Sequence, residues 1–167
     1  SIDDLVLDPG DNADLAFHQN LNVNNTLLFS RVRNLNGGVQ LRVAGDVRSD
    51  DESVTGNATV SLVGSGDQTL TGPGNLVNLH VAKSGGDVLL PTDFVLDFNG
   101  TLSGKGRFRS TGGPLVIGRG FNQTYNFLFG GTVDNLVLDP GDNGDLGFHQ
   151  SLTVANNLTI TRVRFMN

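Results

Sequence analysis

The sequence has no cysteine and no tryptophan, and it contains a single methionine. The absence of cysteine excludes disulfide bonds, thiolate metal ligands and cysteine nucleophiles, although it does not fix the compartment. Glu52 is the only glutamate, and Lys83 and Lys105 are the only lysines. Residues that favour helices are therefore scarce, whereas the 23 glycines and many Val, Leu, Thr, Asn and Asp residues favour strands and turns. This composition excludes a helical or α/β enzyme and predicts an all-β chain.

Positive charge and long apolar segments are also scarce. Eleven Lys and Arg residues stand against 17 Asp and Glu residues, which gives a net charge of −6 and an isoelectric point near 4.7. This is the wrong sign for a surface that binds nucleic acid phosphates, but it leaves cation binding open. No apolar run approaches the ~20 residues of a membrane span. The sequence starts inside a repeated pattern without signal-peptide features, which predicts a piece of a longer protein.

A long internal repeat organises the 167 residues. Residues 1–36 align without gaps with residues 132–167 at a constant shift of 131, and 22 of the 36 positions are identical. We interpret residues 1–131 as one repeat unit, with degenerate halves of roughly 1–60 and 61–131, and residues 132–167 as the start of the next copy. A repeated unit of this kind predicts a tandem array that is long in one dimension.

Short alternating segments between turn residues predict the fold class. Residues 39–43, 59–63 and 152–154 alternate apolar and polar side chains, as strands do. Pro-Gly, Gly-Asp and Asn-Gly pairs typical of tight turns lie between such segments. The degenerate copies favour a parallel β-helix (β-solenoid), with roughly 22–30 residues per coil, about five coils per unit and an advance of about 25 Å. Tandem β-sandwich units are the alternative, since the turn spacing also permits them.

Two further expectations concern how the coils stack. Residues 5–7, 79–81 and 136–138 resemble one another, and we expect them at equivalent positions of successive coils. The end coils would expose apolar edge residues, namely Leu5, Val6, Leu7, Phe165 and Met166. Because open strand edges pair readily with another chain, we expect the coils to continue end to end into a filament, by a tandem array or by stacked subunits.

Residues 60–102 carry a series of turn-and-strand motifs. The series runs Val63-Gly-Ser-Gly-Asp-Gln-Thr-Leu-Thr-Gly72, Asn78-Leu-His-Val81, Lys83-Ser-Gly-Gly86 and Asn99-Gly-Thr-Leu102. It resembles the degenerate repeats of large, secreted, filamentous bacterial surface and adhesin proteins. The resemblance covers the remainder of the chain loosely. It implies a parallel β-helix in a long exported protein of the cell surface or of an extracellular fibre.

An acidic turn occurs once in each copy of the repeat. The segment Asp8-Pro-Gly-Asp-Asn-Ala-Asp14 recurs as Asp139-Pro-Gly-Asp-Asn-Gly-Asp145. Three carboxylates and an Asn amide in seven residues can supply several of the six to eight oxygens that Ca²⁺ requires. The alternative is that Pro-Gly forms the turn while Asp and Asn side chains hydrogen-bond their own backbone. The candidate calcium ligands are Asp8, Asp11, Asn12, Asp14, Asp139, Asp142, Asn143 and Asp145.

Histidine is present at three positions. His18 and His149 recur within identical Phe-His-Gln segments, and His80 lies on another predicted strand. Histidine near a carboxylate can serve acid–base or metal chemistry. No second histidine is adjacent to any of them, and no Gly-x-Ser-x-Gly nucleophile pattern occurs. We therefore interpret these histidines as surface or packing residues.

Three Arg-x-Arg segments, at residues 31–33, 107–109 and 162–164, place two guanidinium groups on one face of a predicted strand. With acidic turns nearby, they predict cross-strand ion pairs, each of them weak.

Five Asn-x-Thr sequons are candidate glycosylation sites, provided that the source glycosylates its surface proteins. Some sequons are expected by chance in a chain so rich in Asn and Thr. The five asparagines are Asn24, Asn57, Asn99, Asn122 and Asn157.

The sequence predicts a structural role outside the cell. We expect a structural repeat segment of a long extracellular fibre, filament or cell-surface adhesin, with no catalysis and no cofactor other than Ca²⁺. Its expected partners are further copies of itself and a cell surface, a matrix or a polysaccharide. The alternative is a carbohydrate-binding or carbohydrate-degrading β-helix protein, which requires a unique charged cluster in an external groove.

Overall fold

The structure, a computed structural model, describes residues 1–10, 13–50, 54–72, 76–118, 124–141 and 144–167. These ranges contain β-strands and turns and no helix, so no helix in them could cross a membrane. In chain order the strands are β1 Leu5–Leu7, β2 Ala13–Ala16, β3 Leu21–Val23, β4 Leu27–Phe29, β5 Val32–Asn36, β6 Gln40–Val43, β7 Val47–Ser49, β8 Thr55–Gly56, β9 Thr59–Leu62, β10 Gln68–Thr71, β11 Leu76–Ala82, β12 Val88–Leu90, β13 Phe94–Ser110, β14 Leu115–Gly118, β15 Thr124–Asp139, β16 Gly144–Phe148, β17 Leu152–Ile160 and β18 Val163–Met166.

Every strand pair in the described part of the chain is parallel, and the strands stack as a β-solenoid. The predicted parallel β-helix is therefore confirmed, and the β-sandwich alternative is wrong because it requires antiparallel sheets. Strands 40–43 and 59–62 match the predicted alternating segments to within one residue.

Each coil turns through three sheet faces, which we call A, B and C in the order in which the chain visits them. Face A contains β3, β6, β9, β16 and β18, face B contains β1, β4, β7, β10 and β12, and face C contains β2, β5, β8 and β14. The long strands bend through corners: β13 runs from face C through face A to face B, and β15 runs from A through B to C. We call the corners between faces AB, BC and CA.

The step from one coil to the next overlaps the predicted range of roughly 22–30 residues but also falls below it. Paired positions lie between 19 residues apart, as for Gln40 and Thr59, and 25 residues apart, as for Thr101 and Asn126. The corners explain the difference, because the AB corner between Val23 and Leu27 takes only three residues. The expectation of about five coils per 131-residue unit is therefore wrong.

The register gives the number of coils in a unit. On face A one column of paired residues consists of Ile2, Val23, Val43, Leu62, Val81, Gly104 and Phe129. Ile2 and Phe129 are thus six coils apart. Val133, the copy of Ile2, lies one face further on, where it pairs with Phe108 and Val154 on face B. One unit therefore comprises six coils and one additional face.

The three copies of the Leu-Val-Leu-like segment lie on different faces. Residues 5–7 are on face B, residues 79–81 on face A and residues 136–138 on face C. The expectation that they occupy equivalent positions of successive coils is wrong. The physical reason is that each face accepts the same short strand with two inward apolar side chains, so similarity in sequence does not fix the face.

The core is a continuous set of inward-facing columns along the solenoid axis. Leu27, Leu41, Leu62 and Leu79 have no accessible surface, and one buried cluster extends from Leu7 to Leu146. Aromatic side chains fill the later coils. Phe127 and Phe148, neighbours on face A, stack with ring centroids 4.6 Å apart. Each coil is therefore buried by the coils before and after it.

A glycine at the CA corner tests this stacking. Gly37 has φ +111°, and a Cβ there would overlap the carbonyl oxygen of Phe17 in the preceding coil. We expect Gly37→Ala to lower the free energy of unfolding by about 1–3 kcal/mol or more, in urea unfolding followed by circular dichroism. The control is Gly66→Ala, where an added Cβ meets no atom within 4 Å. An unchanged midpoint for Gly37→Ala would contradict the close approach of coils at this corner.

Candidate functional site

The acidic turns form arginine clamps between adjacent coils. At the BC corner, Asp8 accepts two hydrogen bonds from Arg31 of the next coil, from Nε and Nη2, both at 2.6 Å. In the second copy Arg162 donates in the same way to Asp139, at 2.8 and 2.7 Å. Such a two-point contact fits the planar guanidinium to both carboxylate oxygens. The predicted arginine ion pairs are therefore present in both copies.

The first arginine of each clamp is not on a strand, in contrast to the prediction. Arg31 precedes β5 and has φ 57°, and Arg162 precedes β18 and has φ 51°. They are the only non-glycine residues with positive φ in the described ranges. This conformation is unfavourable for an L residue, so the surrounding contacts must hold it. The two-point ion pair with the acidic turn is one such contact.

A second ion pair completes the clamp in each copy. Arg33 Nε donates to Asp14 Oδ1 at 2.8 Å, and Asn34 Nδ2 donates to the same oxygen at 2.7 Å. The copy is Arg164 with Asp145, at 3.0 and 2.8 Å. Hydrogen bonds from arginine hold the pKa of Asp8, Asp14 and Asp145 below the ordinary range.

These clamps bear directly on the calcium hypothesis. Asp11, Asn12, Asp142 and Asn143 lie outside the described residues, so the calcium site stays a prediction. The four carboxylates that the structure describes each bind an arginine, which a calcium ion would have to displace. Within the described ranges no three His, Cys, Asp or Glu side chains are grouped as metal ligands.

The histidines are distributed over different parts of the surface. His18 is exposed at the CA corner, whereas its copy His149 lies at the AB corner with Nε2 3.4 Å from Asn126 Oδ1. His80 is on face A, where its Nδ1 lies 2.9 Å from Ser103 Oγ on the next coil. Among the described residues, none of the three histidines forms a hydrogen bond or an ion pair with a carboxylate. Their placement gives no support to an acid–base site.

Three of the five sequon asparagines are described, and all three are exposed. Asn24 donates to Asp3, Asn57 accepts from the backbone NH of Gly38, and Asn157 donates to Asn135, each at 2.9–3.0 Å. Asn122 and the side chain of Asn99 lie outside the described part of the chain. Glycosylation stays a prediction.

A polar cluster at the AB corner was not predicted from the sequence. The buried Gln68 side chain donates to the carbonyl oxygens of Val43 and Gly45, at 2.9 and 2.6 Å, in the preceding coil. Lys83 Nζ from the following coil donates to Gln68 Oε1 at 2.8 Å, and burial lowers the pKa of this lysine. The Gly-Asp-Gln-Thr motif was the available signal. Its glutamine joins three successive coils through one side chain.

Carboxylates in this cluster are also shared between coils. The backbone NH of Asp87 donates to Asp67 Oδ1 at 2.8 Å, and Arg109 lies 3.6 Å from Asp87. Nearby, Arg107 binds Asp134, which is only 5% exposed. Like the acidic turns, these groups connect neighbouring coils rather than form an open site.

One open groove of about 760 Å³ lies along the BC corner. Its lining includes Arg48, Asp50, Thr71, Thr92 and Asp93. Arg48 Nε donates to Asp50 Oδ1 at 2.7 Å, so this carboxylate is already paired. The groove is where the carbohydrate-binding alternative would place a ligand.

Comparisons of this chain with protein-family models, with curated proteins and with solved structures give no match.

The ion pair between Arg33 and Asp14 predicts how stability depends on pH in acid. Arg33→Met removes the largest cause of the low pKa of Asp14, so we expect this pKa to rise towards 3.8 in a carboxyl NMR titration. Because the folded pKa is lowered, the pair adds stability above the ordinary pKa, and this stability is lost as the pH falls through the folded value. Arg33→Met should therefore lose less stability than wild type on acidification below about pH 4.

The matched control is Arg42→Met, because Arg42 is an exposed arginine for which the described residues provide no ion pair. It should leave the pKa of Asp14 unchanged. Equal shifts in both variants would mean that general charge, not the clamp, sets that pKa.

Proposed function

We propose that this chain is a structural repeat segment of a long extracellular or cell-surface fibre and that it performs no catalysis. In this proposal its main partner is itself, through continuation of the coils from one unit to the next. The proposal is supported by a difference in burial between matching residues of the two copies of the repeat.

Residues that the first copy buries are exposed in the second. Leu27 and Phe29 have no accessible surface, because β7 of the following coil pairs with them. Their copies Leu158 and Ile160, on the final coil described, are 49% and 50% exposed. The first copy therefore indicates what would cover these residues: a further coil with the sequence of residues 37–56.

The gain from covering these residues favours such continuation. Burying a Leu or Ile side chain fully contributes about 1.5–3 kcal/mol. Phe165 and Met166, predicted as edge residues, are also exposed, at 58% and 48%. Val6 is exposed as predicted, whereas Leu7 is buried. A following coil would gain strand hydrogen bonds as well as apolar contact, and a contact of this kind propagates instead of closing on itself.

The distribution of charge also favours a structural role over catalysis. The described carboxylates of the acidic turns bind arginines of neighbouring coils, and the same pairs recur in both copies. A repeated clamp stabilises stacking in every unit.

The fibre proposal predicts a cell-surface location and a large chain. Antibodies against this segment should label intact cells of the source without permeabilisation. Denaturing electrophoresis of the labelled material should show a chain much larger than the 17.7 kDa of this segment. A species near that mass would indicate stacked subunits instead of a covalent array, and labelling that requires permeabilisation would contradict the proposed location.

The apolar end predicts how the purified segment associates. Ile160→Asn should weaken concentration-dependent association about tenfold or more in sedimentation velocity, because it removes apolar surface that stacking would bury. The control is Leu128→Asn, which alters a 41% exposed leucine on the side of face A. Equal weakening by both variants would contradict end-to-end contact.

The second candidate function is carbohydrate binding or cleavage at the BC groove, favoured by its size and by the Asp and Thr side chains in its lining. Release of reducing or unsaturated sugars from common polysaccharides, abolished by Asp50→Asn but not by Asp14→Asn, would establish it and overturn the non-catalytic proposal.

A further inference from the structure

We infer that consecutive units of the array are rotated by one sheet face, so that each repeated surface group occurs on all three sides of the fibre and returns to the same side after three units. This inference rests on the proposed tandem array, and it adds the symmetry with which the array presents its surface to a partner.

The rotation follows from the strand register. Six coils separate Ile2 from Phe129 on face A, and the chain then passes to face B before it reaches Val133, the copy of Ile2. Later positions keep the same offset. Residues 21–23 lie on face A, and their copies 152–154 lie on face B.

The repeated surface groups occupy different corners of the solenoid in the two copies. The clamp of Asp8 and Arg31 lies at the BC corner, and its copy, formed by Asp139 and Arg162, lies at the CA corner. A third unit, with the same offset, would place the clamp at the AB corner. Because the solenoid has three faces, the fourth unit would repeat the first.

Local pairing explains why the rotation is tolerated. Leu5 pairs with Leu27 on face B, and their copies Leu136 and Leu158 pair with each other on face C. Each strand therefore meets the neighbour that its sequence requires, one coil away, whichever face the pair occupies. With strands ~4.8 Å apart, six coils and one face advance the chain by about 30 Å per unit.

The consequence for recognition is a threefold screw arrangement. A partner that binds the repeated corner, such as another fibre or a surface polymer, would find it on every side of the fibre, at an axial spacing of about 30 Å. A unit with a whole number of coils would instead place all copies along one side.

Disulfide formation in this chain separates the two arrangements, because the protein has no native cysteine. Thr153 pairs with Thr132 on face B, and both are outside the core. Thr153 is the copy of Asn22, and the column of paired residues that starts at Asn22 on face A reaches Leu128. With a whole number of coils per unit, Thr153 would continue this column and pair with Leu128 instead.

We expect the Thr132→Cys/Thr153→Cys variant to form the disulfide on mild oxidation of the folded chain, detected by mass spectrometry after proteolysis. Neighbouring strands place the two Cα atoms about 5 Å apart, within disulfide range. The Leu128→Cys/Thr153→Cys variant should remain reduced. Formation of the second disulfide at the expense of the first would overturn the rotation.

A positive control comes from face A of the first copy, where Asn22 and Arg42 are paired in both arrangements. The Asn22→Cys/Arg42→Cys variant should oxidise readily. If this control forms its disulfide and Thr132→Cys/Thr153→Cys does not, the inference is also overturned. Absence of a fibre on the source cells would remove the proposed function but would leave the result of this experiment unchanged.

Discussion

The whole structure depends on one constraint, which is that the inward side chains of a coil are buried only by the coils before and after it. Leu41 has no accessible surface because Leu21 and Val60 stack on either side of it. Among the residues that the structure describes, no second layer covers this core, so the strands of successive coils must remain in register. Cooperation between neighbouring coils is typical of repeat architectures.

The corners maintain that register through polar contacts between coils. Arg31 on Asp8 and Gln68 on the carbonyl of Gly45 each connect a corner to the corner of the preceding coil. An exposed ion pair contributes little by itself. The same pair occurs in both copies of the repeat, at the BC corner in the first copy and at the CA corner in the second. Charge in this protein therefore serves stacking, and this use of charge agrees better with a fibre than with an enzyme.

The fold class could be predicted from the sequence because alternation and glycine-rich turns are local properties. Strands such as Gln40–Val43 followed directly from their pattern. The number of coils could not be predicted, since it depends on corners as short as residues 24–26. The sequence also did not predict which face each copy occupies, because all three faces accept the same pattern of inward apolar side chains. The role of Gln68 requires knowledge of which carbonyl groups lie beneath it, and the sequence does not contain this information.

Residues about 20 positions apart in the sequence lie beside each other on parallel strands. Interstrand nuclear Overhauser effects on the isotope-labelled chain measure this arrangement. We expect contacts of Arg42 with both Asn22 and Ser61, in the evenly spaced pattern of parallel strands. Strong Hα–Hα contacts between strands that follow each other in the sequence, as in antiparallel hairpins, would contradict it.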